Sequence, residues 1–326
     1  MQSKDYDVAC LGILVADMFA SPLPEVPKAG ELRVVDEIYP DTGGCAANTG
    51  VSLVKLGARV GLMGKVGDDI FGEFIIKDMT AKGLDASGVK VSETMPTSKT
   101  MIIPVIGQDR RFIHVIGANA DLAYEDVDLD MVARSRAIYV GGFLVQPKLD
   151  QKALAELFRF AKQKGLITVL DVIVPMGDGI RYEVAETVAE VLPYTDTFLP
   201  NDDEARLLTH KDDPVEQAGV FLDHGCKTVV ITMGERGAVL RTKDLTLRAP
   251  AFQVDVVDPS GAGDAFDAGF IWGLLQGWDP RRTLEFAAAL GASACMKLGC
   301  TPGVFTREEA LAFLERHKLD IQVLTP

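Results

Sequence analysis

The stretch from residue 256 to residue 266 constrains the fold of this chain most, because it combines three backbone signals within a short distance. A valine-rich run, residues 254–257, is followed by Asp258-Pro259, by a Gly-x-Gly turn and then by a long apolar segment, residues 265–275. Small residues recur in that last segment at helical spacing. The order predicts a strand, a tight turn and a buried helix.

The predicted turn is suited to an anion. The first turn of a helix has free N–H groups and the positive end of the helix dipole. Gly261 and Gly263 let a phosphate approach the backbone without a clash with a Cβ atom. Asp264 follows in the first turn, and since a carboxylate is a poor phosphate ligand, its simplest role is to accept the proton of a hydroxyl that attacks phosphorus. The alternative is a glycine-rich turn in which Asp264 is an ordinary acidic residue at a helix start.

The length and charge of the chain limit the classes of function. The 326 residues are enough for one large α/β domain or two small ones, and we expect a single domain over residues 1–326. A net charge of −14 and a pI of about 4.8 argue against a nucleic-acid partner. An anionic substrate would be met by local dipoles, a few basic side chains and a metal ion, against the overall field.

The cysteines and the terminal segment bear on the compartment. The five cysteines are scattered, odd in number and form no Cys-x-x-Cys pair, which predicts a reducing cytoplasm and neither a disulfide framework nor a zinc site. Residues 1–7 are polar and do not resemble a signal peptide. The longest apolar run, residues 286–296, is too short to span a bilayer, so no membrane partner is expected.

Strand and helix patterns alternate along most of the chain. The predicted strands are residues 8–15, 60–63, 137–140, 168–171, 197–199 and 228–232, with edge strands at 238–240 and 246–247. The predicted helices are residues 51–56, 71–82, 151–164, 183–192, 283–297, 306–317 and a helix opening at 200–204. This alternation predicts an α/β fold of three layers, a mostly parallel sheet with helices on both faces.

Polar residues follow two of these patterns where a ligand could be reached. Asp17 comes after the first predicted strand, and ligands lie at the carboxyl ends of strands in open α/β sheets, so its carboxylate could hold substrate hydroxyls. Gly43 and Gly44 would allow backbone contact with a small ligand, and the Asn48 amide can donate and accept. The alternatives are a loop-capping aspartate and a plain helix start.

The alternation breaks between residues 90 and 117. Short β-like pieces, residues 99–106 and 112–116, flank the hairpin signal at 107–110, with no long helix between them. Together with residues 31–39 they predict a small antiparallel sheet over the site, a lid formed by about residues 17–40 and 95–117. The basic residues Arg110, Arg111 and His114 within it are expected to be solvated or paired with acids, and a role in substrate binding is the alternative.

Two further motifs lie in the second half of the chain. Asn201 with Glu204 three residues later forms the pattern of a capping box at a helix start. Another glycine turn, residues 233–237, ends the strand at 228–232.

Taken together, these motifs resemble the ribokinase-like (PfkB) family of carbohydrate and nucleoside kinases. The resemblance covers nearly the whole chain and rests on GGCAAN at 43–48 through Leu56-Gly57-Ala58, GKVGDDIFG at 64–72, PNDDE at 200–204, TMGERG at 232–237 and DPSGAGDAF at 258–266.

The resemblance implies a kinase that uses ATP and Mg²⁺ to phosphorylate a hydroxyl, preferably a primary one, of a small sugar or sugar acid. It implies Asp264 as the base and the backbone of Gly261, Ala262 and Gly263 as the anion hole. The remaining implied positions are Asp17, Gly43, Gly44 and Asn48 for the sugar, Asn201 and Glu204 on the magnesium–phosphate side, Thr232, Gly234 and Gly237 beside ATP, and Asp258 and Ser260 with the loop around Gly299 for K⁺ or another monovalent cation. It also implies a homodimer that pairs through the lids.

Four positions depart from the common pattern of the family, and the mildest is Ser260 in place of a common Thr, which keeps the hydroxyl. Cys45 stands where members acting on phosphosugars often have Lys, which argues against a phosphorylated substrate. Asp267 stands where Asn is common, and Ala288 lies where some members have Asn or His near the adenine, so mainly apolar adenine contacts are expected.

Two other functions stay open at this point. A nucleoside kinase of the same family would favour an aromatic lid, but Phe112 is the one aromatic residue in the hairpin, so a sugar is preferred. A catalytically inactive ligand-binding regulator is the other, and the presence of Asp264 with both turn glycines argues against it.

Overall fold

The computed structural model describes residues 4–108, 111–175 and 182–324. Asp109 and Arg110 of the predicted hairpin turn lie outside the described residues. Within them, no helix combines the length and the apolar character needed to cross a lipid bilayer.

The strands and helices are numbered in chain order. The strands are β1 (Tyr6–Gly12), β2 (Val15–Ala20), β3 (Ile38–Gly43), β4 (Val60–Gly67), β5 (Asp85–Ser92), β6 (Lys99–Ile103), β7 (Arg111–Val115), β8 (Ser135–Phe143), β9 (Ile167–Val172), β10 (Thr197–Phe198), β11 (Thr228–Thr232), β12 (Ala238–Thr242), β13 (Thr246–Ala249) and β14 (Gln322–Val323). The α-helices are α1 (Cys45–Lys55), α2 (Ile70–Ala81), α3 (Leu129–Ala133), α4 (Gln151–Gln163), α5 (Val184–Thr187), α6 (Asp202–Thr209), α7 (Pro214–Asp223), α8 (Ala262–Leu275), α9 (Pro280–Ala294) and α10 (Arg307–Arg316).

The large sheet is parallel over most of its width. Its strand order is β14-β13-β12-β11-β10-β9-β8-β1-β4-β5, and the pairs from β11 to β5 are parallel, whereas β12, β13 and β14 join antiparallel at one edge. The prediction of a mostly parallel sheet is therefore confirmed.

Helices cover this sheet on both faces because its central strands are apolar on both sides. Along β1, Val8 and Cys10 belong to one core, which includes side chains of α1, α2, α8, α9 and α10. Ala9 and Leu11 belong to the second core, with side chains of α3, α4, α5, α6 and α7. Successive side chains of a strand point to opposite faces, so two cores separated by one sheet confirm the predicted three layers.

A smaller sheet of four strands, ordered β3-β2-β6-β7, lies apart from the large one. Its outer pairs are antiparallel, but β2 and β6 are parallel, which the hairpin signal did not predict. The predicted strand at residues 31–39 is wrong for most of its length, because β3 begins only at Ile38.

The chain passes from the large sheet to the smaller one between β1 and β2. The predicted strand at residues 8–15 is correct only to Gly12, whose position leaves no room for a Cβ beside the Gly141 carbonyl. At the crossing, the Asn119 amide bonds both the N–H and the carbonyl of Leu14, each at 3.0 Å, in place of a neighbouring strand. Asp17 consequently lies inside β2 of the smaller sheet and not after a strand of the large sheet, which corrects the sequence prediction.

Three other predictions about elements differ from the structure. Residues 254–257 form no strand, and Val256 and Val257 are 64% and 63% exposed, because β-branched residues without a partner strand do not make a sheet. The strand predicted at residues 60–63 is longer than expected and extends to Gly67. Helical structure predicted for residues 183–192 is limited to α5 and a short 3₁₀ turn. The strand β5 and the helix α7 were not predicted.

Candidate active site

The first turn of α8 is built to leave backbone N–H groups open. Gly261 precedes the helix with φ 73°, and a side chain there would also overlap with the Cys300 carbonyl, so only glycine fits. A Cβ on Gly263, in contrast, would meet nothing within 4 Å. The N–H of Ala262 donates to Pro259 at 3.3 Å, whereas in the described residues the N–H groups of Gly261 and Gly263 make no backbone hydrogen bond. The two glycines thus leave N–H donors open at the turn where the sequence predicts an anion hole, whereas the Ala262 N–H is partly committed to the turn.

Asp264 and Asn48 meet where α8 and α1 begin. The Asn48 Nδ2 donates to Asp264 Oδ2 at 2.9 Å, and the Thr49 hydroxyl donates to the Asp264 carbonyl at 3.2 Å. Burial raises the pKa of Asp264, while hydrogen bonds from Asn48 and Cys45 act to lower it. The Asn48 Oδ1 is buried and has no partner among the described residues, so this amide can still accept one bond.

Two more carboxyl groups lie near Asp264. The Tyr139 hydroxyl lies 3.0 Å from Asp267 Oδ2 and 3.4 Å from Asp171 Oδ2, and the Gly142 N–H donates to the same Asp171 oxygen at 3.1 Å. Burial, followed by the charges of neighbouring acids, raises the pKa of both Asp171 and Asp267 well above the ordinary value. Because a phenol has one proton for two acceptors, this arrangement favours a protonated carboxyl in the pair.

Asp17 is placed by its close approach to Gly43. A Cβ at Gly43 would overlap with Asp17 Oδ2, and the Asp17 side chain is 8% exposed. Burial is the largest cause that raises the pKa of Asp17, to about 6; the nearby Asp41 adds to it, and a hydrogen bond from Thr100 opposes it. Gly44 has φ 96° at the start of α1, where a side chain would overlap with the Ile13 carbonyl. The predicted residues Gly43, Gly44 and Asn48 are therefore consecutive parts of one strand end and helix start.

A cavity of about 490 Å³ lies on the other side of the α8 turn. Its lining includes the predicted nucleotide-side residues Thr232, Gly234 and Gly237, together with Ala288 and Gly263. Apolar side chains such as Phe252 and Phe266 form much of the wall. The fold thus brings the glycine turn after β11 and the start of α8 to one pocket.

Asn201 and Glu204 form the predicted capping box at the start of α6. Asn201 Oδ1 accepts from the Glu204 N–H at 2.9 Å, and Glu204 Oε2 accepts from the Asn201 N–H at 3.0 Å. A bridge between Asn201 and Thr232 connects the box to the cavity wall. Burial raises the pKa of Glu204 to about 7, opposed by the backbone hydrogen bonds.

Asp258 connects the two loops that were predicted to hold a monovalent cation. One carboxylate oxygen accepts from the Ser260 N–H and the other from the Gly299 N–H, each at 2.9 Å, and the side chain is 2% exposed. Across residues 4–108, 111–175 and 182–324, no group of three or more His, Cys, Asp or Glu side chains could hold a metal ion.

Several site residues carry no motif signal. Asn119, Tyr139, Asp171 and Thr100 lie on four separate elements, and of these Tyr139 and Asp171 are single polar residues within the apolar runs of their strands. A polar residue predicted to be buried is the one signal that could have found them.

Comparison with known proteins agrees with this architecture. A model of the pfkB family of carbohydrate kinases matches residues 5–307. The chain is 31% identical over 290 residues to a 5-dehydro-2-deoxygluconokinase of Clostridium perfringens, covering 85% of this chain and 84% of that protein. It is 28% identical over 313 residues to a ribokinase of Haemophilus influenzae, covering 94% and 97%. A solved Escherichia coli protein, assigned as a ribokinase II and bound to ATP and Mg²⁺, superposes with a TM-score of 0.80 at 26% identity over 96% of this chain and 100% of that one.

Proposed function

The chain belongs to the PfkB family of carbohydrate kinases and is an ATP-dependent sugar kinase, and we propose its substrate class and its general base. The substrate is a small unphosphorylated sugar or sugar acid, which is phosphorylated on a hydroxyl, preferably a primary one, with Asp264 as the base. The observation that carries this proposal is the position of the Asp264 carboxylate. It lies in the first turn of α8, beside the open N–H groups of Gly261 and Gly263, and it is bonded by Asn48.

The sugar would lie between Asp264 and the smaller sheet. Asp17, the Gly43-Gly44 backbone and the unpartnered Asn48 Oδ1 supply hydrogen-bonding groups for its hydroxyls. Cys45 stands where family members that act on phosphosugars often have Lys, and burial, followed by the charge of Asp264, raises the pKa of its thiol well above the ordinary value. A neutral thiol next to three carboxyl groups offers nothing to a substrate phosphate, which supports an unphosphorylated substrate.

ATP would occupy the cavity beside Thr232, Gly234 and Gly237, with its phosphates toward the start of α8. During transfer, the attacking hydroxyl gives its proton to Asp264, and the N–H groups of Gly261 and Gly263 stabilise the charge on the phosphoryl oxygens. Bound Mg²⁺ supplies neutralisation of the phosphate charge. Glu204 is half-buried and burial raises its pKa to about 7, so a cation held through water would stabilise its ionised form. Asn201 orients Glu204 through the capping box.

A monovalent cation such as K⁺ is proposed beside Asp258 and Ser260. The buried Asp258 carboxylate joins the Ser260 segment to the loop at Gly299, and carboxylate oxygens are ligands that suit a hard cation. K⁺ bound there would stabilise the Gly261 turn that forms the proposed anion hole.

The smaller sheet is proposed as a lid and as the dimer interface. Its inner face carries Asp17, whereas its outer face exposes Ile38, Met101 and Ile113 by 62%, 54% and 63%. An apolar sheet face of this kind supports association with a second copy. Ile113→Lys should convert a dimer to a monomer in sedimentation, and a wild-type monomer at the same concentration would contradict the proposal. The free thiols Cys10, Cys45, Cys226, Cys295 and Cys300 support a reducing cytoplasm.

The test is an ADP-release screen over free sugars, sugar acids and nucleosides with wild type, Asp264→Asn and Asp223→Asn. Asp223 is an exposed acid at the end of α7, so it controls for the chemical change alone. A general base contributes about 10²–10⁴-fold, so Asp264→Asn should lose that factor in kcat while the control matches wild type. Near wild-type kcat in a folded Asp264→Asn variant would overturn the assignment of the base, and turnover of nucleosides alone would overturn the sugar.

A further inference from the structure

Four residues form one row across the smaller sheet. Asp41 on β3 pairs with Asp17 on β2, Asp17 pairs with Thr100 on β6, and Thr100 pairs with His114 on β7. Directly paired residues of neighbouring strands lie on the same face. This is the inner face of the sheet, since Asp17 and Thr100 are only 8% and 9% exposed.

The hydrogen bonds along the row have a direction. The Thr100 Oγ1 lies 3.0 Å from His114 Nδ1, and Thr100 is the direct partner of Asp17 on the same face of the sheet, where its hydroxyl lowers the pKa of Asp17. An ionised carboxylate can only accept, so the one proton of Thr100 is directed at Asp17. The contact with His114 must then be one in which Nδ1–H donates to the threonine oxygen.

We propose that Thr100 and His114 are positioning residues for Asp17, and that the chain from His114 Nδ1–H through Thr100 holds the Asp17 carboxylate in the orientation that receives the sugar hydroxyls. The proposal rests on the proposed function, in which Asp17 binds the sugar. It makes the orientation of the sugar-binding carboxylate depend on His114 at the edge strand of the lid, for which the sequence predicts a solvated or paired side chain, with a role in substrate binding as the alternative.

The electrostatic surroundings make this support consequential. The groups that face Asp17 are Asp41 from β3, which is bonded by Lys82 of α2 at 3.0 Å, the Cys300 thiol from the loop after α9, and His114 from β7. Burial and the charge of Asp41 raise the pKa of Asp17 to about 6, against the opposing effect of the Thr100 hydroxyl. The Asp17 carboxylate therefore takes up a proton when the pH falls only slightly below neutral. Burial lowers the pKa of His114, so the imidazole is neutral at neutral pH. Loss of the Thr100 donor should therefore move the acidic loss of sugar binding to higher pH.

The first test needs no kinase activity. In protein labelled with ¹⁵N-histidine, the His114 signals, assigned by their loss in His114→Asn, should report the Nδ1–H tautomer at a pH above the ordinary histidine pKa. Thr100→Val, which keeps the shape, should shift the ring toward the Nε2–H tautomer. An Nε2–H tautomer in the wild type would overturn the proposed direction of the chain.

The second test is kinetic and uses the accepted sugar. Thr100→Val and His114→Phe should raise the KM for the sugar roughly three- to tenfold, as expected for one lost hydrogen bond, and shift the acidic limb of kcat/KM to higher pH. Thr100→Ser and His114→Asn, which keep a hydroxyl and an N–H donor, should restore both values, and the KM for ATP should stay unchanged in all four. Unchanged sugar KM and pH profile in both disruptive variants would overturn the proposal. If Asp17→Ala leaves the sugar KM unchanged, the proposed function has failed at Asp17, while the tautomer measurement still decides whether the chain exists.

Discussion

The two glycines of the α8 turn should respond in opposite ways to the same substitution. A Cβ at Gly263 meets nothing within 4 Å and the residue has no left-handed φ, so Gly263→Ala should raise the free energy of unfolding by about 0.4–1 kcal/mol through the unfolded state. Gly261 has φ 73° and its Cβ would overlap with the Cys300 carbonyl. Gly261→Ala should therefore lower the free energy of unfolding by at least about 1–3 kcal/mol, the usual cost of strained backbone.

Both variants should nevertheless lose catalysis. The open space at Gly263 is where we place the transferring phosphoryl group, so a methyl group there blocks its approach to the backbone N–H groups. Loss of one such donor costs about 10²–10³-fold in kcat. Denaturant titration and steady-state ADP release measure the two effects separately. A Gly263→Ala variant that is stabilised and fully active would refute the anion-hole assignment. A destabilised variant would show that the position beside Gly263 has no room for a methyl group.

Three further predictions concern other parts of the site. Asp17→Ala should raise the sugar KM strongly, since a hydrogen bond to a charged group contributes about 1.5–3 kcal/mol. If calorimetry shows instead that ATP affinity is lost while sugar affinity is kept, Asp17 belongs to the ATP side of the site. Sugar binding should protect the amides of residues 102–108 and 111–116 from hydrogen exchange, and equal exchange with and without saturating sugar would contradict a closing lid. The raised pKa of Asp267 means that the folded protein keeps this proton to a higher pH than the unfolded chain, so the proton's contribution to stability is full below about pH 4 and is lost as the pH rises through the pKa of the folded state. Asp267→Asn still accepts from Tyr139, so its melting temperature should rise relative to that of the wild type as the pH rises. A difference in melting temperature that stays constant with pH would argue against the shared proton.

Local patterns in the sequence were sufficient for the α8 turn and for the layers of the fold. Gly261, Gly263 and Asp264 are adjacent in the chain, so their spacing alone places the open N–H groups next to the carboxylate. The capping box of Asn201 and Glu204 is equally local. Continuous apolar strands alternating with helical patterns leave few arrangements other than a parallel sheet covered on both faces.

Partnerships between distant residues could not be derived in this way. The sequence contains three valines before the turn, but whether they form a strand depends on a neighbouring strand, and none pairs with them in the described residues. Asp17 was expected after a strand of the large sheet, yet the break at Gly12 and the amide of Asn119 carry the chain into the smaller sheet.

The sequence by itself determined where backbone N–H groups stay open at the start of α8 and which carboxylate stands beside them, because those groups are consecutive and their geometry follows from local dihedral angles. Only the tertiary structure decided what surrounds that carboxylate. Asn48 reaches Asp264 from another helix, and Tyr139 joins Asp171 to Asp267 from a central strand. Protonation depends on burial and on charges within a few ångströms, and these are set by packing between segments that lie far apart in the chain.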